Sequence, residues 1–477
     1  MNKTPDLIIL GSGSTAFAAA LRAASYGARV MMFEKSVMGG TCINWGCIPS
    51  KTLINAALFR HEAGLGAALG VLPDGLRGDV DFGRLSAHRE RVVHKLRQER
   101  YLDVLRDVPG MELVKGAARF VDSRTVETVE ERYRCEKFLI AVGGNPRIPL
   151  IQGIEGSGYL TSRSALLMKK LPASLIIIGG GVIAVEMGQM FHRLGCKVTI
   201  LEHGPRLLPT IEREPAEALQ QALVDEGLVI VPNAAYCTVE GRGGSCVVTA
   251  DVNGVHHVYS AERLLLAVGT EPATRGIGLE KAGVAVDDKG FVSTDRFMRT
   301  AVSGIWAAGD VTGRMMIATV GAREATVAVD DMFDRGCGCS MEYLAAPMAI
   351  FTDPEIGCIG HTEESARLAG FNVVVNVMPV SAIPKAHVTG SRQGVIKMVA
   401  DRFSGRILGV HLACQRGAEL INEVSLALWF KATVDDLAGT MHVYPSMSEG
   451  LKLCAQGFDS DISRLSCCAE PRLPHRS

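Results

Sequence analysis

The sequence predicts an α/β chain built from two βαβ units of the Rossmann type and a separate α+β domain. Three observations carry this. Short apolar runs at Leu7–Leu10 and Leu175–Ile178 each lead into a glycine-rich turn. Each turn opens a helix-type stretch, and a second apolar run then ends in an acid, Glu34 or Glu202. From Ala346 onward this pattern gives way to strand-like runs and two helical stretches. Strand, glycine turn, helix, strand and acid is the order of a dinucleotide-binding unit.

At about 150 residues per domain, a chain of 477 residues has room for about three domains. Hydrophobic residues at 47% and charged residues at 21% exclude a disordered chain. Lys+Arg 50 against Asp+Glu 51 leaves a formal net charge of -1, which argues against nucleic acid bound through bulk charge. Aromatic residues at 5% are too sparse for stacking single strands. The 52 glycines exceed the usual share of about 7%, as backbone approaching phosphates requires. Thirteen cysteines are too few for a disulfide scaffold. No apolar run reaches the roughly 18 residues needed to span a bilayer. Asp6, Gly11 and Gly13 interrupt the N-terminal apolar run that would otherwise look like a secretory signal. The expected compartment is a reducing cytoplasm, where special cysteines are redox-active or metal-binding.

In the first unit, Gly11-Ser12-Gly13-Ser14-Thr15-Ala16 reads G-x-G-x-x-A. Gly11 makes the tight turn, Gly13 lets the backbone approach a pyrophosphate, and Ala16 lets the helix pack close to the strand. The helix N-terminus offers free N–H groups to phosphate, and Glu34 can accept from ribose hydroxyls. Gly179, Gly181 and Ala184 repeat the pattern in the second unit, which closes at Glu202. Two units imply two dinucleotides. A carboxylate at Glu202 accepts from a free 2′-hydroxyl and repels a 2′-phosphate, with Arg206 close enough in sequence to weaken that preference.

Directly after the first unit comes Gly39-Gly40-Thr41-Cys42-Ile43-Asn44-Trp45-Gly46-Cys47-Ile48-Pro49-Ser50-Lys51. Cys42 and Cys47 are spaced to close a disulfide at the start of a helix, whose N-terminus favours a thiolate. A metal half-site or two inert thiols are the alternatives, but no second cysteine pair at zinc spacing follows nearby. Between Asp79 and Pro109 the pattern predicts a charged, exposed helix with Val92, Val93, Leu96, Leu102 and Leu105 at helical spacing, a structural element. Two A-x-G turns, Ala141-Val142-Gly143 and Ala267-Val268-Gly269, flank the second unit, and Gly304–Asp310 ends a later strand.

The segment Gly39–Lys51 resembles the signature G-G-T-C-x-N-x-G-C-x-P-S-K of the flavin-dependent disulfide reductases. That family includes dihydrolipoamide dehydrogenase, glutathione reductase and mercuric reductase. The resemblance runs from about Leu7 to Ala469 and implies a homodimer. It implies FAD in the first site, with Thr41, Lys51, Gly143, Gly269 and Asp310 among its contacts, and NAD(P)H in the second. It makes Cys47 the thiolate against the flavin and Cys42 the exchange thiol, and it pairs Lys51 with Glu186. It divides the chain into an FAD-binding domain (1–148 and 274–342), an NAD(P)H-binding domain (149–273), a dimerisation domain (343–464) and a tail (465–477).

Two departures separate members of this family. Dithiol–disulfide exchange uses a His directly before a Pro as acid–base partner, within H-x-H-P-T-x-S-E. Here the run is His442-Val443-Tyr444-Pro445-Ser446-Met447-Ser448-Glu449. Tyr444 takes the base position, and a phenol with a pKa of about 10 is a poor acceptor at neutral pH. The tail carries the vicinal pair Cys467-Cys468, similar to the S-C-C-A-G ending of mercuric reductases. A thiolate pair suits a soft ion such as Hg²⁺. The sequence therefore points to an FAD-dependent, NAD(P)H-consuming reduction of Hg(II), with Cys42, Cys47, Cys467 and Cys468 as metal ligands. The rival readings are a dithiol reductase using the tail as a shuttle and a non-enzymatic mercury-sequestering flavoprotein.

Overall fold

The computed structural model describes residues 4–73, 78–335 and 338–461. They fall into two compact units, drawn from Met1–Pro149, Leu160–Leu171 and Leu265–Glu342, and from Leu150–Tyr159, Pro172–Leu264 and Tyr343–Ser477. The predicted class holds.

In the first unit a parallel sheet runs in the order Ile305–Ala307, Phe138–Ile140, Leu7–Leu10, Val30–Glu34, Met111–Lys115. Leu7 pairs with Val30 and Leu10 with Phe33. Every residue of Leu7–Leu10 is buried, which is why the strand reads as an unbroken apolar run: a parallel sheet is covered on both faces. Helix Ser14–Ser25 buries Ala16, Ala19, Ala20 and Ala23, and these small residues let helix Ala318–Met332 pack closely. A methyl group on Gly321 of that helix would sit 2.4 Å from the Thr15 hydroxyl. The two A-x-G turns are followed by strands that pair, Gly144–Pro146 with Thr270–Pro272, a contact no local pattern predicts.

The charged stretch after Asp79 is not one exposed helix. Helix Phe82–Arg97, capped by the Asp81 carboxylate, passes into a π-helical turn at Gln98–Leu102 and then Asp103–Asp107. Arg89 is 1% exposed and donates to the Leu166 carbonyl, so this face is interior despite its charge. Leu102, in turn, is exposed.

In the second unit Ser174–Ile178, Lys197–Leu201 and Val229–Val231 form a parallel sheet beside helix Val182–Leu194. A three-stranded antiparallel sheet follows at Ala234–Arg242, Ser245–Val252 and Val255–Ala261. The α+β part is an antiparallel sheet in the order Met348–Ile350, Glu355–Gly360, Ile407–Cys414, Val395–Asp401, Val373–Pro379. Helices Gly417–Trp429 and Glu449–Gln456 are the two helical stretches expected beyond Ala346, and both contribute to its apolar core. Lys397 in the middle of this sheet is 2% exposed. Its ammonium meets Glu212, Glu214 and Glu363 at 2.9–3.1 Å, so the buried cation is fully compensated.

Candidate functional site

The first glycine turn builds a cavity rather than a bare loop. Gly11 has φ +116°, and a methyl group there would lie 2.3 Å from the Ala141 carbonyl oxygen. Only glycine lets the first A-x-G turn close on it. Gly13 is the extended residue before helix Ser14–Ser25 (φ -72°, ψ -177°) and bridges to Gly39. The cavity is lined by Gly11, Gly13, Glu34, Thr41, Cys42, Cys47, Gly143 and Asp310, eight of the residues singled out from sequence. Ala16 is instead buried in the helix–strand contact, and Gly269 (φ +111°) shapes the second A-x-G turn. The Glu34 carboxylate accepts from the Ser12 hydroxyl and the Ser36 amide, both at 2.6 Å, which fixes it at the end of its strand.

Cys42 lies in the short helix Gly40–Trp45, and Cys47 opens the 22-residue helix Cys47–Ala68. On one continuous helix, residues five apart point about 140° away from each other. The break at Gly46 (φ -128°, ψ -111°) undoes this and brings the two thiols into hydrogen-bonding contact. The contact with Cys47 holds the Cys42 thiol well above its ordinary range; burial adds to this, and the Lys51 charge opposes it weakly. Asn44 fastens the loop: its amide donates to the Met38 and Gly40 carbonyls and accepts from Arg97 at 3.0 Å. Lys51, one turn beyond Cys47, lines a groove with Phe59, His88 and Leu96.

Asp310 is drawn into the cavity wall, and burial pushes its pKa up. A desolvated carboxylate here fits hydroxyl donors of a ribityl chain, and the glycine turn at a helix N-terminus fits a pyrophosphate. The residues present thus suit FAD. Sequence reasoning missed Tyr101, Trp45 and Arg163. Tyr101 sits in the π-helical turn, close enough for the Cys42 and Cys47 charges to act on it, and its pKa is pushed up to about 12, mainly by burial. The Arg163 guanidinium stacks over the Trp45 ring at 4.3 Å. No motif marks either pairing, because each joins segments far apart in sequence.

In the second unit, Gly179 (φ +105°) turns the chain and Gly181 opens helix Val182–Leu194 with open space around its Cα. Ala184 is buried against the sheet. Glu202 accepts from the Gly204 amide at 2.6 Å. Arg206 does not face it as a free cation: its guanidinium donates to the carbonyls of Leu207, Leu208, Pro209 and Ile211. Glu186 is buried and accepts from the Phe351 amide at 2.9 Å.

Tyr444 is 49% exposed. Nearby, His442 pairs with Glu423 at 2.9 Å, which raises its pKa. Glu449, which would orient a histidine base, has one buried carboxylate oxygen without a hydrogen bond, and burial raises its pKa. Cys467 and Cys468 lie outside the described residues.

Residues 5–325 match the model of the pyridine nucleotide-disulphide oxidoreductases, and residues 346–455 match that family's dimerisation domain. The chain belongs to this family. The family is FAD- and NAD(P)H-dependent. The chain is 38% identical over 464 residues to a mercuric reductase of Lysinibacillus sphaericus, covering 97% of this chain and 84% of that one. It is 36% identical over 459 residues to a dihydrolipoyl dehydrogenase of Thermus scotoductus, covering 96% and 98%. Among solved structures, the Cu(II) complex of the HOCl-induced flavoprotein disulfide reductase RclA from Escherichia coli superposes with a TM-score of 0.84 at 31% identity, covering 95% of this chain and 99% of that one. As an FAD-dependent oxidoreductase of this family, the chain resembles the mercuric reductases over nearly its full length. No helix among the described residues is long and apolar enough to cross a membrane.

Proposed function

We propose that this oxidoreductase reduces Hg(II) to Hg(0) with NAD(P)H. The observation that carries the reading is Tyr444 at the sequence position of the exchange base, with one buried oxygen of Glu449, five residues on, left without a hydrogen bond. A disulfide substrate needs that proton acceptor; a thiolate-bound metal ion does not. The mercuric reductases similar to this chain favour the same reading.

In this account the domains divide as the sequence suggests, at 1–148 with 274–342, 149–273 and 343–464. FAD, when bound, would supply two-electron transfer between the nicotinamide and the cysteines. Gly11, Gly13, Thr41, Gly143 and Asp310 hold it, and Lys51 and Glu186 serve as further catalytic residues. Gly179, Gly181 and Glu202 receive the nicotinamide coenzyme, with NADH accepted because Glu202 faces the ribose and Arg206 is occupied. Cys467 and Cys468 of one subunit receive Hg²⁺ and pass it by thiolate exchange to Cys42 and Cys47 of the other. The balance is simple: NAD(P)H loses two electrons and releases a proton, and Hg²⁺ gains both electrons. Tyr444 contributes a hydroxyl near the ion rather than a base. The function is tested by NAD(P)H oxidation with Hg²⁺ in excess thiol: the reading expects stimulation, and efficient turnover of lipoamide or oxidised glutathione with none for Hg²⁺ overturns it.

A further inference from the structure

Arg163 is the second residue of helix Ser162–Leu166, which follows the short strand Leu160–Thr161. It lines the same cavity as Gly11, Gly13 and Thr41. Its guanidinium rests over the Trp45 ring. Among the described residues it has no ion pair or hydrogen bond, and its Nε is fully buried without a partner. Burial alone lowers its pKa, with no acid or thiolate charge acting against that. The two fully buried arginines are compensated: Arg89 donates to a carbonyl and meets Glu90, and Arg193 meets Glu226 and Asp353, whereas the half-buried Arg163 and Arg406 each keep a buried Nε without a partner, and of these two Arg163 lines the cavity.

A guanidinium with a buried N–H and no acceptor is under-satisfied, and a ring face offsets only part of that cost. A ligand filling the cavity can supply the acceptor. Trp45 stands one helical turn beyond Thr41. The preceding residue, Gly40, is so close to Gly13 that a methyl group on it would lie 2.6 Å from the Gly13 Cα. Arg163 and the helix N-terminus at Gly13 and Ser14, where phosphates bind, thus line one cavity. The turn Gly11–Ala16 itself offers only backbone N–H groups and hydroxyls. Lys35, the other basic residue on the wall, is exposed and follows Glu34 at the ribose end.

We propose that Arg163, held against Trp45, is the counter-ion of the diphosphate of the bound dinucleotide. The fork of a guanidinium matches two phosphate oxygens, which a lysine cannot do. This inference rests on FAD occupying the first site and is independent of the metal substrate.

The test uses the full-length protein stripped of flavin and titrated with FAD, ADP and riboflavin, by fluorescence, at low and high salt. Losing one charge-assisted contact should weaken FAD and ADP binding roughly tenfold or more in Arg163→Met. Riboflavin, which lacks phosphate, should bind both proteins alike, and the salt dependence of ADP binding should shrink. Arg163→Lys should fall between the two and serves if Arg163→Met does not fold. FAD and ADP affinities within about twofold of wild type overturn the assignment, as does a loss seen with riboflavin but not ADP. A wild-type protein that binds no FAD overturns the cofactor reading as well. Failure of mercury reduction alone leaves these binding results unaffected and speaks only to the proposed substrate.

Discussion

Substituting alanine at Gly11 and at Gly13, two residues apart in one turn, should have opposite consequences. At Gly11 the backbone has φ +116°, and the new methyl group would meet the Ala141 carbonyl oxygen at 2.3 Å and its carbon at 2.9 Å. Neither atom belongs to a flexible side chain. Backbone strain of about 1–2 kcal/mol joins an overpacking cost of about 1–3 kcal/mol, so Gly11→Ala should destabilise the flavin-free protein by about 2–5 kcal/mol. At Gly13 the backbone is ordinary, and the nearest atom to the new methyl group is the Gly40 Cα at 3.6 Å. Gly13→Ala should leave the flavin-free protein as stable as wild type to within about 0.5 kcal/mol, or make it slightly more stable. Its methyl group would instead occupy the space through which the pyrophosphate approaches the backbone, weakening FAD binding at least tenfold, or about 1.4 kcal/mol. Urea denaturation of the stripped proteins and FAD titration separate the two effects. A Gly13→Ala protein that binds FAD like wild type, or a Gly11→Ala protein as stable as wild type, would refute the reasoning.

Three further outcomes follow from the geometry. With Glu202 proposed to meet the ribose and Arg206 bonded to four carbonyls, NADH should serve at least comparably with NADPH in steady-state kinetics; a preference for NADPH above about tenfold, roughly 1.4 kcal/mol, contradicts this. Cys47→Ala should lose the long-wavelength thiolate–flavin absorbance of the two-electron-reduced protein and Cys42→Ala should keep it, with mercury reduction lost in both; the reverse spectra would exchange the two roles. His442 has its pKa raised by Glu423, while burial and, more weakly, Lys452 oppose the rise. Its contribution to stability is therefore full below its unfolded pKa of about 6.5 and disappears as pH rises through the higher folded value. Because Glu423 is partly exposed, His442→Gln should cost only about 1 kcal/mol at pH 5.5 and almost nothing at pH 9 in urea denaturation; an equal cost at both values would remove the ion pair from the account. The neighbouring Glu449 is raised by burial and drawn down by the Lys452 and His442 charges, so part of the low-pH cost of His442→Gln passes through it.

The parts of the fold legible in the sequence are those set by local backbone demands. The turns at Gly11 and Gly179 need positive φ, the acids Glu34 and Glu202 end strands, and the break at Gly46 lies inside a motif of fixed spacing. The strands Val395–Asp401 and Ile407–Cys414 announce themselves as apolar runs because they are largely buried, whereas Val373–Pro379 reads as apolar with only Val373 and Met378 buried. What stayed hidden depends on contacts between distant segments. The pairing of Gly144–Pro146 with Thr270–Pro272 joins two turns more than a hundred residues apart. Lys397 reads as a strand lysine bound for solvent until Glu212, Glu214 and Glu363 arrive from elsewhere. The charge of the 79–109 stretch masks the buried Arg89, and Arg206, close to Glu202 in sequence, spends its donors on carbonyls of its own loop. Arg163 reaches the cavity, and Tyr101 the surroundings of Cys42 and Cys47, from elements with no motif of their own.

The central claim is that metal rather than disulfide is the electron acceptor, and elemental mercury is its direct signature. The purified flavoprotein would be given NADH or NADPH, Hg²⁺ and excess thiol, and volatile mercury trapped from the gas phase would be counted against coenzyme oxidised. The account predicts one Hg⁰ per NAD(P)H, with lipoamide and oxidised glutathione turned over poorly by the same preparation. Coenzyme oxidation without volatile mercury, alongside brisk reduction of either disulfide, would contradict it.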